Sequence, residues 1–327
     1  MLTYVLRRLA LMIPTLIGMT LLLFVIVRFA PGLTTGGGQS GEMMKQAQQE
    51  LEQRMRERLH LDKPLMVQYF LWLRDTVTGD LGRSVQYNTP VAELIKERAP
   101  VTIVLNVITT IVVYLIAIPG GMLAAVKRGK GFDVGWSLIT LALFSLPIIW
   151  AGDMLLAFFA NKDYLGWFPV AGSHSTDTSW MSSAQYAIDY LWHMVLPVIC
   201  LSYGAFAYLS KLQRAAILDN YEQDYVRTAR AKGLPGKAVV LRHVFRNSLL
   251  PMITVFAGII PSLLGGSVVV ERIFSIKGMG DLMLTATLAR DLPIVQGVTV
   301  IASVITLLCL LVADICYAIA DPRVSYE

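Results

Sequence analysis

The sequence predicts an all-α, polytopic membrane protein with six transmembrane helices. Three observations carry that prediction. Hydrophobic residues make up 55% of the 327 and charged residues only 16%, where a soluble chain carries about a quarter charged, and mean hydropathy is +0.58. Apolar runs of about 20 residues recur, each long enough to cross the hydrocarbon core as a helix; a barrel would show short alternating segments instead. Lysine and arginine gather on one set of connections between those runs, as cytoplasmic loops do.

The runs give spans at about Leu9–Phe29, Val101–Val126, Val134–Ala160, Tyr190–Lys211, Leu249–Val270 and Ile294–Ala320. The first follows Arg7 and Arg8, lacks a small-residue cleavage site and is too long for a signal peptide's apolar region, so it stays as an anchor. Arg7, Arg8, Lys127, Arg128, Lys130, the cluster from Lys211 to Arg246 and Arg323 mark one side. The short connections of the other side hold Lys162, Arg272, Lys277 and Arg290. Both termini are therefore expected in the cytoplasm, and the long segment from Pro31 to Pro100 outside, since segments of that length translocate regardless of charge. The chain divides into a cytoplasmic tip and first helix (1–30), an extracytoplasmic helical segment (31–100), a five-helix core (101–320) with a cytoplasmic loop at 212–247, and a cytoplasmic tail (321–327).

The outer segment opens on a flexible linker, Gly32 to Gly41. Glu42 to Leu61 is rich in helix formers. Pro64 to Val77 is a second helix candidate with Asp62 placed to cap it. Gly79-Asp-Leu-Gly82 breaks that helix, and Thr89-Pro90 reads as an N-cap and first-turn proline opening a short helix to Arg98. The segment is too polar for a core of its own. It reads equally as a solvated cap on the spans and as a contact surface for a soluble partner.

No catalytic constellation stands out. Lys130 is followed by Gly131 and Lys237 by Ala238, so neither completes a phosphate-binding loop. His60, His174, His193 and His243 are scattered without zinc-ligand spacing. Cys200, Cys309 and Cys316 sit in apolar runs as small buried residues do. A carboxylate inside a span is costly and asks for a reason. Asp153 in the third span faces either a substrate path or a partner helix, and Asp314 in the sixth reads as a polar contact within the bundle. An ion-coupled secondary transporter would use such acids as a relay, but only these two lie deep and nothing ionisable connects them. Asn106, Thr109 and Ser145 join Asp153 as the polar residues of the spans that could line a path, helix packing being the alternative.

The region Lys211–Arg246 carries eight basic and three acidic residues, a net of +5 that equals the formal charge of the whole chain. Within it, Asp224-Tyr-Val-Arg-Thr-Ala-Arg-Ala-Lys-Gly-Leu-Pro-Gly236 combines charged and small residues with a helix stop: Gly233 suits the position after the last helical turn, and Pro235 ends the helix. A second helix is expected from about Lys237 to Asn247, with Val240, Leu241, Val244 and Phe245 on one face and Arg242, His243, Arg246 and Asn247 on the other. Such a rigid polar knob under a helical bundle can transmit motion from a soluble partner.

Arg227-Thr-Ala-Arg-Ala-Lys-Gly-Leu234 resembles the EAA loop of permease subunits of ATP-binding-cassette importers, in the oligopeptide, dipeptide and nickel branch. The resemblance extends over nearly the whole chain. It includes Leu6 to Thr15, His60-Leu-Asp-Lys-Pro-Leu65 with Gln68-Tyr69, Gly79-Asp-Leu-Gly-Arg-Ser84, Glu97-Arg-Ala-Pro-Val-Thr102, Leu165-Gly-Trp-Phe-Pro169, Val270-Glu-Arg-Ile-Phe274 with Gly278-Met-Gly280, Arg290-Asp291 and Asp321-Pro-Arg323. Two positions depart from it: Arg227-Thr-Ala229 replaces Glu-Ala-Ala, as is common in this branch, and Leu33-Thr34 stands where the family often has Asp-Pro.

The resemblance implies a type I importer permease fold in a bacterial inner membrane, forming half of a translocation path for di- or oligopeptides. It implies four kinds of partner: a second, homologous permease subunit, two ATPase subunits that bind ATP and magnesium, an extracytoplasmic solute-binding protein, and membrane lipid. Nucleic acid and a cofactor on this chain are not expected. Asp224, Arg227, Thr228, Ala229, Arg230, Ala231, Lys232, Gly233, Leu234 and Pro235 would contact the ATPase. Nickel, glutathione or an oligosaccharide could be carried by the same architecture.

Overall fold

A computed structural model of the chain describes residues 2–29, 62–259 and 265–320. Every regular element among the described residues is helical. The helices, in chain order, are α1 (Leu2–Phe29), α2 (Leu65–Val77), α3 (Val91–Val126), α4 (Gly131–Ser145), α5 (Ile148–Leu155), α6 (Ser183–Tyr221), α7 (Asp224–Ala231), α8 (Gly236–Val239), α9 (Phe245–Ser248), α10 (Leu250–Ile259), α11 (Val268–Ile273), α12 (Met279–Leu288) and α13 (Leu292–Ala320). A π-helical turn, Leu156–Ala160, follows α5, and another, Val240–Val244, joins α8 to α9. Among the described residues four helices are long and apolar enough to cross a membrane, and the bent pair of α4 and α5 with its π-helical turn makes a fifth if it is counted as one span. Of the expected fifth span, Leu249–Val270, the structure describes α10 and the start of α11. The linker at Gly32–Gly41, the helix expected over Glu42–Leu61 and the tail at 321–327 lie outside the described residues, as do the side chains of Asp314 and Cys316.

Several local expectations are corrected. Asp62 does not cap α2: Pro64 occupies the N-cap position, and the helix receives no side-chain cap. The Gln68 amide instead donates to the Lys63 carbonyl at 2.6 Å. Pro90 is likewise the residue before the first helical turn, accepting from Glu93 and Leu94. The helix it opens does not stop at Arg98 but continues through Pro100 and Pro119 to Val126. A proline inside a helix removes one backbone bond. Packing on both sides of Pro100 outweighs that loss, with Val91 and Leu94 buried before it and Thr102 and Leu105 after it.

Pro147 acts differently. Leu146 and Pro147 are extended, and the two halves of the third expected span meet at 97°. The residue before proline is pushed toward extended backbone. Here the freed Leu146 carbonyl gains a substitute donor, the Tyr203 hydroxyl at 2.8 Å.

The chain forms two compact units, Met1–Glu97 with Met283–Glu327, and Arg98–Leu282. In the first, α1 packs on α13, and Tyr69 of α2 meets Thr20 of α1 through their hydroxyls at 3.0 Å. The turn after α2 is closed by Gly79 at φ +89°, with Gly79 N–H bonded to Thr76 O and Asp80 N–H to Asp75 O. Ser84 then donates to Asp291 at 2.6 Å, and the Gln86 amide to the same carboxylate oxygen at 3.0 Å.

In the second unit, α6 is the central post. Its start is fixed by a capping box between Ser182 and Gln185, whose S-x-x-Q pattern is readable in sequence. α4 lies along it. Trp136 donates to Ser210 at 2.7 Å, and Arg214 forks onto both oxygens of Asp133 at 2.7 and 2.8 Å. Close approach of α3 depends on a glycine: a Cβ on Gly121 would stand 2.5 Å from the Ser210 carbonyl.

Asp133 lies in the first turn of α4, and Arg214 engages both of its oxygens. Asp133→Asn, which breaks this charge-assisted fork, is expected to cost about 1–2 kcal/mol in chemical unfolding of the purified chain in detergent.

Candidate functional site

The knob expected at Asp224–Gly236 is a rigid object in the structure. α7 begins after Gln223, whose carbonyl accepts from Val226 at 3.0 Å, and Asp224 puts an acid in its first turn, where the helix dipole favours one. It ends in a Schellman turn. Gly233 has φ +76°, its N–H bonds Arg230 O at 2.9 Å, and Leu234 N–H reaches back to Ala229 O at 3.4 Å. This six-to-one, five-to-two pair satisfies the last carbonyls and needs a residue that tolerates a left-handed backbone. Pro235 then caps α8, accepting from Ala238 at 2.8 Å.

One face of α7 is fixed and the other is bare. Val226 and Ala229 are buried with Ile217 of α6, Ala125 of α3, Val239 and Val244. Tyr225 donates to Asn220 at 2.6 Å, and the Arg230 guanidinium lies 5.4 Å from the centre of the Tyr221 ring. Asp224, Arg227, Thr228, Arg230, Ala231, Lys232, Gly233, Leu234 and Pro235 are all exposed. Arg227 and Asp224 make only a loose surface pair at 3.4 Å. Of the ten residues singled out from the sequence, nine thus form one exposed surface, and Ala229 is part of its anchor. Beside it runs a cleft of 470 Å³ with Asp219, Asn220, Gln223 and Asn247 on its walls.

The second helix of the loop differs from its expected form. The π-helical turn holds one more residue than an α-helical one, which shifts the face that follows. Val239, Val244 and Ser248 become the buried positions, and Leu241, expected among them, stands 56% exposed. Ser248 ties this segment to the post, accepting from Gln213 of α6 at 3.1 Å. The knob is therefore fastened to α6 by an apolar cluster and two polar contacts, so displacement of one carries the other.

The four polar residues of the spans separate. Asp153 on α5 and Ser145 at the end of α4 are exposed and flank the Leu146–Pro147 break. The Ser145 hydroxyl bonds Leu141 O at 2.9 Å. Asn106 on α3 is half-buried. Thr109 is buried, its hydroxyl spent on Leu105 O at 2.8 Å.

One buried constellation is not foreseen from the sequence. Glu271 of α11 is wholly buried. Its carboxylate accepts from the Thr102 hydroxyl at 2.9 Å and the Asp281 N–H at 2.8 Å, while the Thr102 oxygen accepts from the Met279 N–H at 2.8 Å. A Cβ on Gly278 would stand 2.5 Å from the Glu271 carboxyl carbon, and one on Gly266 2.6 Å from its Oε1. Burial raises the Glu271 carboxyl above the ordinary range, against the donors that lower it. Glycines at 278 and 280 beside an acid in an apolar run were the available signal; what they surround was not.

The chain is similar over its length to known transport proteins. The family described as "Binding-protein-dependent transport system inner membrane component" matches residues 117–326. The oligopeptide transport system permease protein AppB of Bacillus subtilis (strain 168) is 38% identical over 327 residues, spanning 100% of each chain. The di/tripeptide transport system permease protein DppB of Pseudomonas aeruginosa (strain UCBPP-PA14) is 35% identical over 340 residues, again 100% of each. The peptidoglycan transport system permease protein YejB of Agrobacterium fabrum is 35% identical over 357 residues, covering 99% of this chain and 98% of that one.

Proposed function

This chain belongs to the family of inner membrane components of binding-protein-dependent transport systems, and from that premise we propose that it forms half of the translocation path of an ATP-driven peptide importer. The exposed α7 knob, fastened to α6, is the observation that carries the coupling half of this reading. The names of the full-length relatives carry the cargo.

In this reading the chain crosses the membrane six times in a type I arrangement, with both termini and the 212–247 loop in the cytoplasm and the 31–100 segment outside. A second, homologous permease completes the path. Two ATPase subunits hold ATP and magnesium, hydrolyse the nucleotide and seat Asp224 to Pro235. A solute-binding protein delivers cargo to the outer face. Closure of the ATPases on ATP pulls the knob, α6 follows, and the bundle opens outward; hydrolysis resets it. ATP shifts this equilibrium only through its greater affinity for the closed ATPase pair. Asp153 and Ser145, exposed at the helix break, face the path, and Asn106 and Thr109 of α3 are further candidates to line it.

The test is uptake of tri-alanine into proteoliposomes by the chain co-purified with the subunits encoded beside it. ATP-dependent uptake that requires the binding protein supports the proposal. Uptake that follows a proton gradient with no ATPase in the preparation would replace it with a secondary transporter.

A further inference from the structure

α5 is two-sided. Ile148, Ala151, Gly152 and Leu155 turn inward, and Gly152 lies so close to Ile273 of α11 and Cys200 of α6 that a Cβ would stand 2.9 Å from the first and 3.4 Å from the second. The opposite face presents Ile149, Trp150 and Asp153, all exposed. Trp150 and Asp153 are three residues apart, so they are neighbours on that face. No hydrogen bond or ion pair engages Asp153 among the described residues. Lipid is excluded as the neighbour of this face on two grounds. A carboxylate facing hydrocarbon is strongly disfavoured. Non-helical backbone at membrane depth persists only where it meets protein or a water-filled cavity, and the exposed Leu146–Pro147 break falls halfway along the segment 131–160.

Two groups on this face suit a cation: the carboxylate of Asp153 and the indole of Trp150, whose π-face attracts positive charge. They stand within two turns of the break, and transporters build substrate and ion sites at discontinuous helices. Resting on the importer reading above, we propose that Asp153 and Trp150 form a subsite in the translocation path that receives a protonated amine of the cargo. A peptide offers two such amines, its terminal ammonium and a lysine side chain, and both suit a carboxylate beside an indole. The subsite stabilises the cargo amine after release from the binding protein, when it would otherwise cross an apolar path with its charge unpaired.

The experiment uses the whole complex in proteoliposomes with loaded binding protein, and reads peptide delivered per ATP hydrolysed. The chain is wild type, Asp153→Asn, Asp153→Glu or Trp150→Ala, and the probes are tri-alanine and Ala-Lys-Ala. A charge-assisted contact of this kind predicts a loss of roughly tenfold or more for Asp153→Asn, recovery to within about threefold for Asp153→Glu, and an intermediate loss for Trp150→Ala. A loss shared by both peptides assigns the subsite to the terminal ammonium, and a loss confined to Ala-Lys-Ala to the side chain. Unchanged delivery of both by Asp153→Asn would overturn the proposal. So would dissociation of the permease pair on size exclusion, which would make Asp153 the partner of a cation on the other subunit. Wild-type complex without ATP-driven delivery would overturn the importer reading itself, a result distinct from either.

Discussion

Replacing Gly233 with proline is expected to reduce binding-protein-stimulated ATP hydrolysis by the assembled complex at least about tenfold. The residue sits at φ +76°, and a Cβ there would meet no atom within 4 Å, so space does not restrict it. Backbone does. Proline fixes φ near −65° and removes the N–H, and here that N–H is bonded to Arg230 O. The Schellman turn cannot form, and the exposed surface from Asp224 to Pro235 loses the geometry with which it is proposed to seat in the ATPase. The loss is local, because α7 is held to the bundle by Val226 and Ala229 and not by Gly233. Gly233→Ala retains the N–H and costs only about 1–2 kcal/mol for a left-handed backbone, so its loss of activity should be partial. Gly236→Ala, at a glycine with ordinary backbone and open space, should hydrolyse ATP as wild type does. The graded order of the three, measured as stimulated ATPase in nanodiscs, separates a shape requirement from a general intolerance of change in this loop.

Glu271→Ala should cost the fold about 3–4 kcal/mol, since it strands several buried donors and opens a cavity. The Thr102 hydroxyl and the Asp281 N–H would both lose their acceptor, and the glycines at 266, 278 and 280 leave no neighbouring side chain to fill the space. Glu271→Gln preserves the shape and one acceptor oxygen, and about 1 kcal/mol is expected for it. The two variants also differ from wild type in pH dependence. Burial raises the folded-state pKa of Glu271. Its proton is therefore held more tightly in the folded chain than in the unfolded one, and wild type loses stability as pH rises from the ordinary glutamate value through the raised one. The glutamine variant lacks that dependence. Denaturant unfolding of the purified chain in detergent at several pH values checks both the size and the sign.

The knob was legible in the sequence because its signals are local. Small and charged residues, a glycine at the position after the last turn and a proline two residues on specify a short capped helix without reference to the rest of the fold. The apolar runs were legible for the same reason. What could not be read is what packing decides. Pro147 breaks its span and Pro100 does not: buried neighbours hold the helix together around Pro100, while at the Pro147 break Tyr203, 57 residues away, satisfies the Leu146 carbonyl. The π-helical turn at Val240–Val244 moves Leu241 outward, against the face that a regular α-helical period assigns it. The pairing of distant motifs was equally hidden. Ser84 and Asp291 each belong to a short stretch that carries the family resemblance, as do Thr102 and Glu271. The structure joins each pair across 207 and 169 residues, and the separate stretches become two polar locks, one within each compact unit.

The most direct test of the coupling account is a photo-crosslink from Thr228, which lies on the exposed face of α7 with its hydroxyl donating to Asp224 O of the same helix. The Thr228→Cys chain, carrying a benzophenone maleimide and assembled with its neighbouring subunits in nanodiscs, should crosslink to the ATPase subunit, with a yield that changes between nucleotide-free and ATP-bound complex. Crosslinking to lipid or to the permease pair alone, with no ATPase adduct in either state, would contradict the account.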